Sequence, residues 1–315
     1  MKFVDLITYN DDILAPHSVP DWMIGQFNRR SISFSNGKTD TSTVVIWMQC
    51  RNFSIDLRLP ISSEMPVSKR LEEYTELELQ QIADYEGWFA HSIWADQQLR
   101  WEDAVSLQLH ERWPEPALLK RVGNCMIEFA PSGAYVEEWR LRNRSPGPLV
   151  GLSLHQEKNL NTGEIVHRGG GLIVCGDFAG LVLGRVNKPD ISSKNSSLKD
   201  LLDSVSKDKN LVRSLLGFEC SVARKNPEGN FTIFASTVRQ REGEDLFCKG
   251  SFEFIDKQVI RHTFYTGQDI HERIFTIDSI EKNYQFSYRT STNTEVSDWF
   301  EREKKTLSRY CMYLD

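Results

Sequence analysis

Apolar and polar residues alternate with period two along much of this chain. Within residues 44–59, Phe53, Ile55, Leu57 and Leu59 interleave with Ser54, Asp56 and Arg58, the pattern of a strand with one buried face. The period lengthens over residues 68–85, where Leu71, Tyr74, Leu77, Ile82 and Tyr85 predict one side of a helix that Gly87 can end. Strand-like runs resume at 88–94, at 104–109 and as a pair over 125–141 that turns at Pro131, Ser132 and Gly133. The first half therefore reads as an antiparallel meander interrupted by one helix.

The second half repeats this order loosely. Strands are predicted at 149–156 and 164–186. A helix follows, capped by Ser197, carrying Leu198, Leu201, Leu202, Val205, Leu211, Val212 and Leu215 and stopped by Gly217. Five further strands, at 218–224, 231–239, 246–255, 259–265 and 270–280, are separated by Gly, Asn and Asp turns. Such spacing points to a closed or nearly closed sheet. An amphipathic helix over 298–310, with Trp299, Phe300, Leu307 and Tyr310 inward, ends the chain. Gly169, Gly170 and Gly171 lead into a strand rather than a helix, so they read as a turn or bulge and not as a phosphate loop.

The fold class expected is mainly β, with two antiparallel barrel-like or sandwich-like halves and a few helices. Asn143, Arg144, Ser145, Pro146, Gly147 and Pro148 cannot continue a ladder, which divides residues 1–145 from 149–315 across an exposed linker, each half around its own core. Of 8 tryptophans only Trp299 lies beyond Trp139, so the two cores are built differently.

Composition narrows the function. With 40% hydrophobic and 26% charged residues the chain is globular, and a net charge of -6 argues against a nucleic-acid partner. Arg140, Arg142 and Arg144 follow Glu137 and Glu138 and read as a solvated face. No apolar run is long enough for a membrane helix, and Asp5 interrupts the only apolar stretch near the start. The 6 cysteines are dispersed singly, as expected of reduced thiols in the cytoplasm, and no zinc spacing or cofactor motif occurs.

Three constellations carry candidate chemistry. Tyr135, Glu137 and Trp139 share one strand face, where a carboxylate between aromatic rings can be desolvated into a general base or ligand acceptor, or can serve as a structural ion pair. Asp56 and Arg58 share another face and could grip a polar ligand group or form a solvent-facing pair. Asp177 and Arg185 flank a glycine-rich strand run and read as ligand contacts or as solvated strand ends. His91, in a run that also holds Trp94, is the best-placed acid-base candidate of the first half, or else a satisfied partner of a carboxylate.

Segments 53–60 (FSIDLRLP), 85–90 (YEGWFA), 135–140 (YVEEWR) and 172–185 (LIVCGDFAGLVLGR) resemble a bacterial group related to the fungal casein-kinase-interacting family. That resemblance implies two tandem lipocalin-like or calycin-like barrels and supplies no catalytic residue. Three functions stay open: binding of a small, largely apolar ligand in the tryptophan-rich barrel, a protein-interaction role with filled barrels, and a barrel isomerase or hydrolase using Glu137 or His91. An interior below about 300 Å³ would leave no ordinary ligand site.

Overall fold

The structure is a computed structural model and describes residues 2–9, 11–110, 113–187, 189, 197–248, 250–286, 298–299, 301–303 and 305–306. After a short helix, α1 (Phe3–Tyr9), and a 3-10 turn (Asp21–Met23), the chain forms β1 (Gly25–Phe34), β2 (Thr39–Asp40), β3 (Val44–Gln49) and β4 (Phe53–Leu59). Helix α2 (Glu76–Ile82) precedes β5 (Glu86–Ala95), β6 (Gln98–Ser106), β7 (Ala117–Val122), β8 (Cys125–Phe129) and β9 (Tyr135–Leu141). Apart from β2, which pairs only with β1, each strand pairs antiparallel with the next, and β1 returns to β9. Eight strands thus close an up-and-down barrel. Among the described residues its thinnest seam is β6 against β7, where only Gln98–Leu118 and Leu99–Ala117 pair.

The second sheet comprises β10 (Gly147–Asn159), β11 (Ile165–Arg168), β12 (Gly170–Cys175), β13 (Phe178–Leu183), β14 (Glu219–Lys225), β15 (Phe231–Ser236), β16 (Gly250–Asp256), β17 (Val259–Thr266) and β18 (Asp269–Tyr284). Helices α3 (Leu198–Val205) and α4 (Lys209–Leu215) lie between β13 and β14. The order is β15-β14-β13-β12-β10-β18-β17-β16, with β11 on β10, and among the described residues its two ends do not meet. Beyond β15, the chain at Gly243 and Leu246 donates to the carbonyls of Ile233 and Phe231.

Local signals explain where elements depart from expectation. The helix expected over 68–85 is a 3-10 turn (Leu71–Glu73) followed by α2, because Thr75 and Glu78 form a capping box that starts the helix there. Leu77 faces solvent, and Gly87 lies inside β5 rather than ending a helix. The long helix after Ser197 is two, since the Asp208 carboxylate accepts from the amides of Asn210 and Leu211 and begins a new one. Strand β1 was not expected: its register shifts between Arg29 and Ser31, which erases the period-two pattern. Of the C-terminal helix, residues 300, 304 and 307–310 lie outside the described residues, as does Cys311; Trp299 meets the Phe129 ring edge-on at 6.1 Å.

The expectation of separate cores is corrected. All barrel strands precede Pro146 and all strands of the second sheet follow it, yet one continuous core joins them. Met48, Phe53, Ile55 and Phe89, on the outside of the barrel, pack with Ile173, Val182, Cys220 and Val222 of the second sheet. The surfaces approach so closely that a methyl group on Gly180 would stand 2.8 Å from Met48 Sδ, and one on Gly87 2.7 Å from Cys220 Cβ. The opposite face of the second sheet is covered by the N-terminal segment assigned above to the first half: Phe3 stacks on Phe247 at 4.3 Å, and Leu6 and Ile7 join Phe252, Ile260 and Ile280 in a second core. The linker is not a free tether either. Asn143 is buried, accepting from the Gln26 amide and donating to the Cys175 carbonyl, and Gly147 already begins β10.

Candidate functional site

In β4 the apolar row faces the second sheet, which leaves Asp56 and Arg58 pointing into the barrel, buried like every other residue of that strand. The solvent-facing reading of this pair is therefore corrected. Arg58 Nε donates to Asp56 Oδ1 at 3.0 Å, and its guanidinium lies over the rings of Trp113 at 4.4 Å and Trp88 at 5.0 Å. Burial pushes the Asp56 carboxyl up, against the pull of Arg58, to about 6.

Tyr135, Glu137 and Trp139 also face inward from β9. Glu137, 1% exposed, accepts from Arg29 Nη1 of the neighbouring β1 at 2.9 Å, while Arg29 Nη2 reaches Asp40 at 2.6 Å. Register sets Glu128 of β8 directly opposite Glu137. Burial first, and then the Glu137 charge, hold the Glu128 carboxyl well above its ordinary range. It is met by Trp139 Nε1 at 3.1 Å and the Tyr135 hydroxyl at 3.4 Å. Two like acids thus face each other, one ion-paired to arginine and the other pushed up by burial and by its neighbour's charge.

Beside this network lies a cavity of about 260 Å³, walled by Trp47, Trp88, Trp101, Trp113, Tyr135 and Trp139 and reached by Asp56, Arg58 and Glu128. This falls below the 300 Å³ set above, so an ordinary drug-sized ligand is excluded and only a smaller occupant fits. A more open cavity of about 390 Å³ shares Arg58, Glu86 and Trp113 as its wall, and Trp113 Nε1 donates to Glu86 at 2.9 Å. Trp47 Nε1 and Arg58 Nη1 have no hydrogen-bond partner, but both atoms are fully enclosed and do not open into the cavity that their residues line. Arg58 Nη1 is 3.9 Å from Glu137 Oε1, too far for a hydrogen bond.

The other candidates lie elsewhere. His91 points out of the barrel, 5.6 Å from the Phe89 ring and 6.5 Å from Phe53, so it and Glu137 are on opposite sides of the wall and do not form one acid-base site. Trp94 meets Trp22 edge-on at 5.5 Å, beside the 3-10 turn whose Trp22 carbonyl accepts from Arg121. Asp177 is exposed in the turn between β12 and β13. Arg185 is neither solvated nor on the cavity wall: it donates to the carbonyls of Ser106, Leu107 and Leu215, tying the end of β6 to α4. Burial lowers its pKa to about 10.

A second buried polar group sits in the second sheet. Burial alone would raise the Glu157 carboxyl, but Arg273, His167 and His271 bring it down to about 2. His262 stacks on Phe252 at 4.0 Å and on Phe264 at 4.9 Å, and burial lowers it to about 3.

Among the described residues no group of His, Cys, Asp and Glu could hold a metal ion, and no helix is long and apolar enough to cross a membrane. In comparisons with known proteins, no family model matches the chain and no curated protein is significantly similar to it.

Proposed function

We propose that the chain binds a small, flat and largely apolar ligand inside the first barrel. The observation that carries this reading is the cavity walled by five tryptophans, Trp47, Trp88, Trp101, Trp113 and Trp139, with Asp56, Arg58 and Glu128 at its edge. A barrel filled by its own side chains packs to interior density and leaves no such space. Eight strands make a barrel wide enough for one small ligand, and the volume restricts it to about one or two rings. The calycin-like reading belongs to this proposal for the first half. The second sheet, whose ends β15 and β16 do not meet among the described residues, acts as the barrel's support. The five described cysteines are free thiols, which fits a reducing compartment, and we place the protein in the cytoplasm on that ground.

Native mass spectrometry of the purified protein is expected to show a small molecule released on denaturation. Ala104→Trp, at an exposed position on the cavity wall, is expected to lose that molecule while keeping its melting temperature. Protein that carries nothing, and whose tryptophan emission is unchanged by indole, phenol or benzamide, would favour the rival filled-barrel, protein-interaction role.

A further inference from the structure

The barrel wall is parted between β6 and β7. Only Gln98 and Leu99 of β6 pair with β7, so among the described residues the rest of β6 has no strand partner on that side. Four residues of this unpaired stretch, Trp101, Asp103, Ala104 and Ser106, line the tryptophan-walled cavity, and Asp103 and Ala104 are exposed. The cavity therefore meets solvent along β6.

A bulge sets Asp103 at that opening. On the other side of β6, His91 pairs with Glu102 and Phe89 with Val105, so Asp103 and Ala104 share Ala90 as their partner. Asp103 takes a φ of 53°, the left-handed conformation that aspartate and asparagine adopt more readily than most side chains. Its carboxylate makes no hydrogen bond or ion pair among the described residues. Two positions earlier, the half-buried Trp101 meets no other ring and no cation, whereas the faces of Trp88 and Trp113 hold the Arg58 guanidinium. A carboxylate and an indole face are thus both unused at one opening.

Charge acts in the same direction. Among the described residues four carboxyl groups line the cavity, those of Asp56, Glu86, Asp103 and Glu128, against Arg58 and His110, and Arg58 is already matched by Asp56. Burial raises Asp56 and Glu128 despite Arg58, as expected of an interior short of positive charge. An anion would add to that excess, while a cation is attracted by it and by the ring faces.

We infer that the ligand carries a cationic nitrogen, an ammonium or amidinium, held at the β6–β7 opening by the Trp101 ring and the Asp103 carboxylate, with its flat apolar body inside the barrel. This rests on the ligand-binding reading above and names the chemical class that reading leaves open.

Three probes of similar shape separate the classes: benzylammonium is cationic, benzamide neutral and benzoate anionic. Titrated into the intact protein at pH 7 and followed by tryptophan emission, benzylammonium is expected to bind about tenfold more tightly than benzamide, and benzoate more weakly than either. Asp103→Asn removes the charge and suits the same left-handed backbone, so the variant is expected to fold. Its preference for benzylammonium over benzamide is expected to fall to about threefold, the loss of one partly exposed ion pair. Benzamide or benzoate binding as tightly as benzylammonium overturns the cation inference and leaves the barrel as a ligand site. A preference unchanged in Asp103→Asn overturns it likewise. If none of the three probes alters the emission, the charge of the molecule released in native mass spectrometry decides: a cation upholds the inference, a neutral molecule or an anion overturns it, and no molecule at all takes the ligand-binding reading down with it.

Discussion

Replacing Arg29 by methionine is expected to lower the unfolding free energy by about 3–5 kcal/mol, the range for removing one partner of a buried ion pair. Arg29 is 4% exposed in its side chain and Glu137 only 1%, so the change strands a carboxylate out of reach of water. Arg58 cannot take over without moving, because its Nη1 is 3.9 Å from Glu137 and its Nε is committed to Asp56. Glu128 opposite is a second acid and offers no positive charge to compensate. Substituting both partners, as Arg29→Met with Glu137→Met, is expected to recover most of the loss, because a filled apolar site carries no desolvation penalty. Glu137→Gln alone is expected to cost about 1–3 kcal/mol. Urea unfolding measures all three. A loss below about 1 kcal/mol for Arg29→Met would mean that the interior reorganises around Arg58, and the ion-pair account of the barrel would be wrong.

Acid is expected to loosen the second sheet before the barrel. His262 titrates near 3 when folded against 6.5 ordinarily, because burial disfavours the charged ring, so the unfolded chain takes up the proton first. Its contribution is complete above pH 6.5 and is lost as pH falls through the window down to 3. Glu157, lowered to about 2 from 4.5, adds a loss below pH 4.5. Asp56 runs the other way: raised to about 6 from 3.8, it favours the folded barrel below 3.8, and that contribution fades as pH rises through 6. Glu128 is displaced in the same direction. A tenfold difference in proton affinity between the folded and unfolded chains is worth about 1.4 kcal/mol, so going from pH 7 to 4 removes on the order of 3 kcal/mol from the second sheet. Hydrogen exchange in β16 to β18, corrected for the intrinsic effect of pH, is expected to accelerate relative to β3 to β5 over that range. His262→Phe keeps the stack between Phe252 and Phe264 but loses the ring's hydrogen bond to the Phe247 backbone, at about 1 kcal/mol at pH 7, and is expected to remove most of the acceleration, leaving the smaller part due to Glu157. Equal acceleration in both sheets, or no response to the substitution, would refute this assignment.

Alternation alone made it legible that Asp56 and Arg58 share a face, and that Tyr135, Glu137 and Trp139 share another. It could not say which face is interior. In β4 the apolar row faces outward because the second sheet supplies a better partner than the inside of the barrel, and no pattern within one strand encodes that. Glu128 carries no mark in the sequence for a related reason: its importance comes from standing opposite Glu137, and cross-strand register is a property of two segments. Trp47 was hidden because β3 is buried on both faces from Val45 to Gln49, leaving no polar contrast to mark the inward side. Strand β1 was lost to its bulge and to Arg29, an inward charge in a position where an apolar residue would have restored the period. His91 lies outside the wall despite its aromatic neighbours in sequence, which say nothing about the side of a strand. The capping signals at Ser197 and the turn at Pro131 to Gly133 were legible because their chemistry is complete within a few residues.

The outward apolar row on β3 to β5 has one further consequence. A chain cut at Pro146 would present Met48, Ile55 and Phe89 as a sticky wall, and the remainder would present Ile173, Val182 and Val222 in return. Neither fragment is a finished protein. Gene duplication, fusion or loss of one half would therefore meet a solubility barrier before any question of ligand arose, and the smallest piece that can be inherited intact is the pair.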